Sequence, residues 1–357
     1  MAIKRFQDVT QKAFDVVLAG LEEPSFGYRS LFPQEFTADL TWQSLQADGN
    51  LTVAADVIAH DSSAKLKGRP DAATQTGQIE KIALLNRVTE KQLHNLDALQ
   101  RAPGQEEQIY RIIFGDIGRS YRGVHMRLEQ MAMQGLSTGV VDITTANNIG
   151  ITTKATFKIP SGNKTGVPVV WGTAATATPI TDLKERIAYA KGKGYRINRI
   201  FMDDASFERL RATTQIKEQY SGLLGLNTGI LSPNLEQINV VLGANGIPPI
   251  TIVDSSYTRE NKDGSLTTES PWDTNKVALL SSNTAGVTMW TLTAEQKMAG
   301  YTDPGAIASN RDIVRVTRWN ERNPFRVFTK GEAVAFPVLN NVNGIFLLNT
   351  DNVTTWS

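Results

Sequence analysis

The sequence predicts an α+β fold, in which helices and strands follow one another without the regular alternation of a doubly wound sheet. Three observations lead to this prediction: a long amphipathic helical pattern near the middle of the chain, short β-leaning segments on both sides of it, and a polar stretch too long for a tight turn. The 357 residues suit about two domains, because a single core stops growing near ~250–300 residues.

Composition excludes several classes of protein. The chain has 37 basic and 36 acidic residues, a net charge of +1 and no cysteine. Near-neutral charge argues against a bulk basic nucleic-acid binder and against a polybasic membrane anchor, and the lack of cysteine excludes disulfides and thiol nucleophiles. Apolar runs are short and no signal peptide is visible, whereas a membrane-spanning helix needs ~20 apolar residues. We therefore expect a soluble protein made in a reducing cytoplasm.

The first 38 residues are predicted to form an arm with one short helix, whose apolar residues lie between Phe14 and Leu21 and which Pro24 ends. Aromatic residues recur along this arm at Phe6, Phe14, Phe26, Tyr28, Phe32 and Phe36. The arm has too few apolar residues to bury all of these rings by itself. We therefore expect the rings to pack on another part of the fold or on another chain.

Residues 39–88 are predicted to form a long hairpin. A turn signal at Asp48 and Gly49 precedes a β-leaning segment at 51–58, and hydrophobicity returns at 79–88. Between these strands, residues 60–77 are polar and form the predicted tip. Loops this long are uncommon inside compact domains and are usually functional, so we expect the tip to reach outward.

A basic cluster lies in this tip, formed by Lys65, Lys67 and Arg69. Two interpretations stay open. The charges either keep an exposed loop soluble or dock on acidic groups of a neighbouring subunit.

Residues 105–136 give the strongest helical pattern. Apolar side chains follow one helical face at Ile117, Tyr121, Val124, Leu128 and Met131. At 1.5 Å per residue this helix would be about 48 Å long. Gly135 and Gly139 are typical of its C-terminal end.

The same two glycines complete a Gly-x-Ser-x-Gly string around Ser137, the pattern of a hydrolase nucleophile. A nucleophile elbow needs a strand before the serine and a helix after it, whereas here a long helix comes first. No histidine follows His125 in the chain. The end of a helix is therefore the favoured interpretation.

Further elements are predicted downstream. The helices are 181–191 and 205–211, the second capped by Asp203 or Asp204. The strands are 140–144, 152–159, 167–171, 197–202, 238–242, 250–253, 276–280 and 287–292, with several more between 313 and 348. The spacing of His60, His94 and His125 fits no metal motif. We expect no catalytic residue, no metal and no cofactor.

Four stretches resemble a known family: FTADLTWQSLQADGNL at 36–51, RLEQMAMQGLSTGVVDI at 127–143, KVALLSSNTAGVTMW at 276–290 and FPVLNNVNGIFLLN at 336–349. Their content and the order of the elements resemble the major capsid proteins of tailed bacteriophages, which share the Hong Kong 97-type fold, and within them the lambda-type family. The resemblance implies the following parts: an N-terminal arm at 1–38, an extended loop at 39–88, a peripheral domain with a spine helix at 89–179 and 299–334, and an axial domain at 180–298 and 335–357.

The resemblance also implies a function. Such a protein is structural and not an enzyme, and it self-assembles as hexamers and pentamers into an icosahedral shell that encloses double-stranded DNA without sequence-specific binding. Its expected partners are other copies of itself, a separate scaffolding protein and a portal protein, with a decoration protein left open and no membrane. Its expected location is the virion, after assembly in the host bacterial cytoplasm.

The candidate assembly contacts are Phe6, Phe14, Phe26, Tyr28, Phe32, Lys65, Lys67 and Arg69. We expect that deletion of residues 1–30 abolishes shells and leaves folded subunits. Two alternative functions stay open at this point, an encapsulin-like shell of a cellular compartment and a hydrolase.

Overall fold

The structure is a computed structural model of the whole chain. It describes residues 9–22, 26–47, 72–100, 106–225, 232–298 and 306–356. The predictions for Phe6, for the turn at Asp48 and Gly49, for the strand at 51–58 and for the basic cluster lie outside these residues.

Helices and strands alternate irregularly along the described residues, as an α+β fold requires. The helices are α1 (Gln11–Ala19), α2 (Tyr28–Leu31), α3 (Glu90–Gln100), α4 (Glu106–Thr138), α5 (Pro179–Gly192), α6 (Asp204–Ala212), α7 (Thr214–Leu223), α8 (Leu235–Ala244) and α9 (Ala294–Lys297). The strands are β1 (Gln34–Phe36), β2 (Thr41–Ala47), β3 (Ala72–Gln78), β4 (Lys81–Val88), β5 (Val140–Ile143), β6 (Thr153–Thr156), β7 (Lys164–Val167), β8 (Arg199–Asp203), β9 (Ile250–Val253), β10 (Tyr257–Glu260), β11 (Leu266–Glu269), β12 (Lys276–Leu280), β13 (Gly286–Thr291), β14 (Ile307–Arg311), β15 (Val314–Arg322), β16 (Phe325–Leu339) and β17 (Ile345–Val353).

The long helix α4 lies against a six-stranded sheet. The strand order is β1-β13-β16-β15-β14, and β4 also pairs with β16. Buried apolar side chains of α4, including Ile117, Val124 and Leu128, join those of the sheet in one hydrophobic core. The long helix and its apolar face, both predicted from the sequence, are confirmed.

A second core surrounds a five-stranded sheet with the order β7-β17-β12-β8-β9. Buried side chains of α5, α6, α7 and α8 pack with the sheet, because each helix carries an apolar stripe. Asp203 begins α6 by accepting a hydrogen bond at 3.3 Å from the backbone N–H of Ser206. The predicted cap of this helix is confirmed, with Asp203 as the capping residue.

The predicted hairpin differs from the structure in two respects. Residues 72–78 form strand β3, which pairs antiparallel with β2, although most of them were predicted to belong to the polar tip. The second predicted strand is present as β4, but it pairs with β16 of the main sheet. The sequence does not predict β3, because none of residues 74–78 is buried and the strand therefore lacks the alternation of apolar and polar residues that marks a half-buried strand.

The segment 238–242 was predicted to be a strand and is part of helix α8, so this prediction was wrong. Asn234 and Gln237 form a reciprocal capping box at the start of the helix. This cap and the burial of Ile238, Val241 and Leu242 outweigh the strand preference of the β-branched residues. The predicted strand at 167–171 is also displaced, since β7 ends at Val167.

The predicted strands 250–253 and 276–280 are confirmed with these bounds, as β9 and β12. The other predicted strands between residues 140 and 292 are present with shifted ends, and 313–348 contains three strands as expected. Among the helices of the described residues, none combines the length and the apolar content that crossing a membrane would need.

Candidate assembly surfaces

Four aromatic rings of the arm pack inside the chain itself. Phe14, Tyr28 and Phe32 are each at most 1% exposed and belong to the core around α4, and Phe26 packs against that core while partly buried. Helix α1, which carries Phe14, contacts β14. Of the two expected locations, another part of the fold accounts for their burial. Direct contacts of these residues with a neighbouring subunit stay a prediction, one that now requires the arm to move.

A polar cluster joins the arm to α4 and to the turn between β14 and β15. The guanidinium Nη2 of Arg29 donates to Tyr121 Oη at 3.1 Å and forms an ion pair with Asp312 Oδ2 at 2.9 Å. The same nitrogen lies 3.2 Å from His125 Nε2, while Tyr28 Oη lies 2.7 Å from His125 Nδ1. Three separate parts of the chain therefore meet at one side chain of α2.

Burial shifts the acid–base behaviour of this cluster. It raises the pKa of the Tyr28 and Tyr121 hydroxyl groups far above the ordinary value, so both remain protonated at physiological pH. Burial also raises the pKa of Glu129, although its carboxylate accepts a hydrogen bond at 2.8 Å from the backbone N–H of Tyr28.

An ion network fixes β4, which leads away from the hairpin, to the main sheet. The Glu332 side chain is fully buried, and its Oε2 lies 2.8 Å from Lys81 Nζ on β4 and 3.0 Å from Lys330 Nζ. Lys330 also contacts Glu295, whose Oε2 lies 3.5 Å from Arg315 Nε. Burial disfavours the Glu332 carboxylate, but the two ammonium groups outweigh that effect and lower its pKa.

Exposed apolar side chains lie on or next to β1 and β13, the first two strands of the six-stranded sheet, and we call them the β1 patch (Phe36, Leu40 and Leu292). Phe36 is 55% exposed, and its ring meets the edge of Trp290 at a centroid distance of 5.1 Å. Leu40 follows β1 in the chain and Leu292 follows β13, the strand with which β1 pairs. Exposed apolar groups of this kind often mark contacts with other molecules.

A second exposed group lies on the helices that cover the five-stranded sheet, and we call it the α7–α8 patch. Leu223 and Leu224 are half-exposed at the end of α7, and Val240 is exposed on α8. The two helices contact each other. Each core of the subunit thus has apolar side chains on its outer surface.

A small cavity of about 160 Å³ lies beside α5 and β7. Asp182 and Glu185 are among its lining residues, and Asp182 Oδ2 accepts a hydrogen bond at 2.8 Å from Trp171 Nε1. Burial raises the pKa of Asp182 to about 6.

The serine of the Gly-x-Ser-x-Gly string is a helix-end residue, as expected. Ser137 is fully buried, and its hydroxyl donates to the carbonyl oxygen of Gln134 at 3.2 Å. Gly139 then leaves the helix with a φ of 79°, in the left-handed region that favours glycine. Within the described ranges, no three His, Asp or Glu side chains are grouped as a metal site requires.

Sequence reasoning missed most of these features. Phe36 was included among the arm aromatics but was not a candidate contact, and no local pattern shows that Arg29, His125 and Asp312 meet. One feature of the sequence indicated part of this cluster: His125 lies four residues after Tyr121, so the two side chains share a face of the predicted helix. Lys65, Lys67 and Arg69 lie outside the described residues, as does Phe6.

Comparisons with known proteins give a consistent result. A family model described as phage major capsid protein E matches residues 24–349. A protein described as a capsid protein of a prophage from E. coli CFT073 has a similar structure, with a TM-score of 0.60 and 16% sequence identity over 96% of this chain and 99% of that chain. No curated protein matches the sequence.

Two further solved structures are similar. A phage-related protein from Bordetella bronchiseptica RB50 has a TM-score of 0.52 and 11% identity, over 95% of this chain and 96% of that chain. A chain of the cyanophage A-1(L) capsid asymmetric unit has a TM-score of 0.51 and 10% identity, over 93% of this chain and 94% of that chain. At these identities the likeness concerns the fold.

Proposed function

Because the chain belongs to the family of phage major capsid protein E, we propose that it assembles with copies of itself, as hexamers and pentamers, into an icosahedral shell. The family match covers 326 of 357 residues, counted from 24 to 349, and is the observation that carries this proposal. The protein is a structural component of a phage capsid. The expected α+β capsid fold is confirmed, and neither the encapsulin-like nor the hydrolase alternative is favoured.

The surface chemistry of the subunit supports a role in assembly. Large obligate interfaces bury more than ~2,000 Å² and are apolar at their centres. The β1 patch and the α7–α8 patch offer apolar side chains on the two cores of the subunit. We propose that both patches are covered by neighbouring subunits in the shell.

We also propose a division into domains that follows the two sheets. The arm would be 1–38 and the extended loop 39–88, with a peripheral domain at 89–179 and 299–334 and an axial domain at 180–298 and 335–357. The pairing of β13 with β16 favours one adjustment. Because both strands belong to the sheet under α4, their residues fit the peripheral domain better than the axial domain.

The remaining partners are proposed from the family resemblance. They are a separate scaffolding protein, a portal protein and, as an open option, a decoration protein, with double-stranded DNA enclosed but not read. Assembly would take place in the host bacterial cytoplasm. The basic cluster Lys65, Lys67 and Arg69 would contact acidic groups of a neighbouring subunit, and the arm would contribute further contacts.

The β1 patch gives the sharpest test of assembly. Phe36→Asp places a charge on a side chain that is already 55% exposed, so the subunit should fold while its interface is disrupted. Ile151→Asp, in the loop between β5 and β6 and 58% exposed, is the matched control. We expect electron micrographs to show at least tenfold fewer shells for Phe36→Asp, with an unchanged circular dichroism spectrum, and normal shells for Ile151→Asp.

Normal shell yields from Phe36→Asp would exclude the β1 patch from the interface.

The basic cluster is tested in the same assay by changing Lys65, Lys67 and Arg69 together to Glu. We expect weaker assembly that recovers as the salt concentration rises, because salt screens the repulsion between the new Glu side chains and the acidic groups of the neighbouring subunit. A yield that stays normal at every salt concentration would contradict this contact.

A further inference from the structure

One end of the five-stranded sheet carries no acidic residue in its loops. At this end β7, β8, β9 and β17 begin and β12 ends, because β12 runs antiparallel to its two neighbours. The loops that lie there are 160–163, 193–198, 245–249, 281–285 and 340–344. None of them contains Asp or Glu, and none contributes to the exposed large apolar side chains of the described residues.

Four basic side chains gather at this end of the sheet, and we call them the basic rim (Lys191, Lys193, Arg196 and Arg199). Lys191 lies in the last turn of α5, Lys193 and Arg196 lie in the loop that follows, and Arg199 begins β8. The first three are exposed. Residues 191–199 contain no acidic residue, so a strong local positive charge exists in a chain whose net charge is only +1.

The loop between α5 and β8 is fixed in place, so the direction of its charges is set by the fold. Tyr195 and Ile197 are buried in the second core, and the ring of Tyr195 meets that of Phe346 at a centroid distance of 6.0 Å. The backbone N–H of Asn198 donates to the carbonyl oxygen of Leu280 at 2.8 Å. Arg196 lies between the two buried side chains and is therefore directed to solvent.

The charges of the basic rim are not neutralised by carboxylates. Among the ion pairs of the described residues, none includes a member of the rim, whereas Arg209 and Arg211 of α6 pair with Asp351 and Glu208. The contacts of the rim are with uncharged groups. Lys193 Nζ lies 5.7 Å from the centre of the Tyr189 ring, and Arg199 Nη1 donates to the carbonyl oxygen of Asn283 at 3.1 Å.

We propose that the basic rim binds the phosphate backbone of double-stranded DNA without reading its sequence. Protein interfaces have an apolar centre, which this surface lacks. Phosphate groups are instead bound by Lys and Arg together with uncharged polar side chains, and exposed Asn198 and Asn283 lie beside the rim. The choice of DNA as the polyanion rests on the proposed function, in which the shell encloses double-stranded DNA.

Counterion release gives the expected size of the effect. Each phosphate that a cation neutralises contributes about −0.9 to the slope of log affinity against log salt, so four cations give a slope of about −3.6. A fourfold rise in salt should then weaken binding by about 150-fold. Four cations bind weakly in one subunit, but a shell presents many copies to the same duplex, and the contacts reinforce one another.

The test measures DNA binding by full-length, unassembled subunits. Fluorescence anisotropy of short labelled duplexes with two unrelated sequences gives the affinity from about 25 to 200 mM salt. We expect equal affinities for the two sequences and the slope of about −3.6. Shells are counted separately by electron microscopy, so that normal DNA binding without shells would contradict the proposed function and leave the basic rim supported.

The combined change Lys191→Glu, Lys193→Glu and Arg196→Glu leaves only Arg199 in the rim. All three side chains are exposed, so the subunit should fold, while the affinity at low salt should fall at least tenfold and the slope should approach about −0.9. The combined change to Gln at the same positions should have a smaller effect in the same direction, and it keeps the test decisive if the Glu variant fails to fold.

A matched control changes the net charge by the same amount at other surfaces. Lys12→Glu, Lys91→Glu and Lys262→Glu are combined for this purpose, because these exposed side chains lie on α1, on α3 and in the turn between β10 and β11. We expect the control to bind DNA within about threefold of the parent protein, since separated surface charges act weakly through screened solvent.

Four results would overturn the assignment. They are no binding by the parent protein at the lowest salt concentration, equal losses in the rim variant and in the control, a more than tenfold preference for one of the two sequences, and tighter binding of a labelled oligoglutamate peptide than of the duplex. The last result would favour an acidic protein as the partner of the basic rim.

Discussion

Gly331 of β16 lies directly against the backbone of Ser120 in α4. A Cβ atom at Gly331 would be 2.3 Å from the carbonyl oxygen of Ser120, closer than any non-bonded contact allows. The hydroxyl of Ser120 donates to the carbonyl oxygen of Thr329 at 3.3 Å and accepts from Asn86 Nδ2 at 2.9 Å. Because Gly331 has no side chain, strand β16 and helix α4 can come into direct contact.

Gly331→Ala should therefore destabilise the subunit. The new methyl group meets the backbone of Ser120, so the strand and the helix must separate, at a cost of about 2–3 kcal/mol in unfolding free energy. Urea unfolding followed by circular dichroism measures this change.

Gly123→Ala is the matched control on the same helix. The nearest atom to the new methyl group is Cδ2 of Leu84, the end of a side chain that is 38% exposed and can move away. Alanine also favours the helix by about 1 kcal/mol relative to glycine. We expect little or no loss of stability, and equal losses for the two variants would show that Gly331 has no special role.

Glu332→Gln should cost about 1–3 kcal/mol, because it removes the fully buried carboxylate that pairs with Lys81 and Lys330, while Lys330 keeps its contact with Glu295. Lys81→Met, which changes the partner that is 54% exposed, should cost less than about 1 kcal/mol. The two ammonium groups hold the pKa of Glu332 below its usual 4.5. The stabilisation is therefore fully present above that pH and is lost as the pH falls through the lowered pKa.

Urea unfolding at several pH values checks this assignment. The difference between the parent protein and Glu332→Gln should be constant from pH 7 to pH 5 and should shrink at lower pH. A difference that grows on acidification would contradict the sign of the pKa shift.

Asp182→Asn should stabilise the subunit at neutral pH. Burial raises the pKa of Asp182 from 3.8 to about 6, which means that folding disfavours the ionised carboxylate. This cost develops as the pH rises from 3.8 to 6 and is constant above pH 6, where it amounts to about 1–3 kcal/mol. An asparagine oxygen can still accept the hydrogen bond from Trp171.

Thermal unfolding at pH 8 and pH 4 tests the direction of this stability difference between Asp182→Asn and the parent protein. The variant should be more stable than the parent at pH 8, and the two should be similar at pH 4. Glu185→Gln, an exposed neighbour in the same cavity, should change the stability by less than about 0.5 kcal/mol. A variant that is less stable than the parent at pH 8 would contradict the prediction.

Deletion of residues 1–30 should produce an unstable subunit, in contrast to the expectation from the sequence. The deletion removes Phe14, Leu18 and Tyr28 from the core, and loss of one large buried side chain typically costs 2–5 kcal/mol. Deletion of residues 1–8 leaves these side chains in place and is the matched control. Thermal unfolding should show a large loss for the first deletion and a small one for the second.

The sequence predicted local structure best where burial imposes a clear period. Helix α4 was found almost to its ends, because its apolar face and its final glycines are regular. Strand β3 was missed because it is exposed and carries no alternation, and helix α8 was mistaken for a strand because its cap was not recognised. Periodicity shows which face is buried and does not identify the partner.

Long-range pairing explains the remaining differences. Strand β4 was assigned to the hairpin, whereas its partner β16 begins more than 230 residues later in the chain. The contact of Arg29 with Asp312 joins residues 283 positions apart. No local pattern in the sequence contains such information, so the cluster around His125 could be found only in the folded chain.

The position of β16 has a consequence for biosynthesis. This strand pairs with β4, β13 and β15 and contacts α4, yet it ends at Leu339, near the C-terminal end of the 357 residues. While the ribosome is still translating, the emerging arm, helix and β4 have no central strand to pack on. The main sheet can therefore close only after residue 339 has been made, more than 200 residues after the end of α4, and until then the apolar face of α4 is available to chaperones.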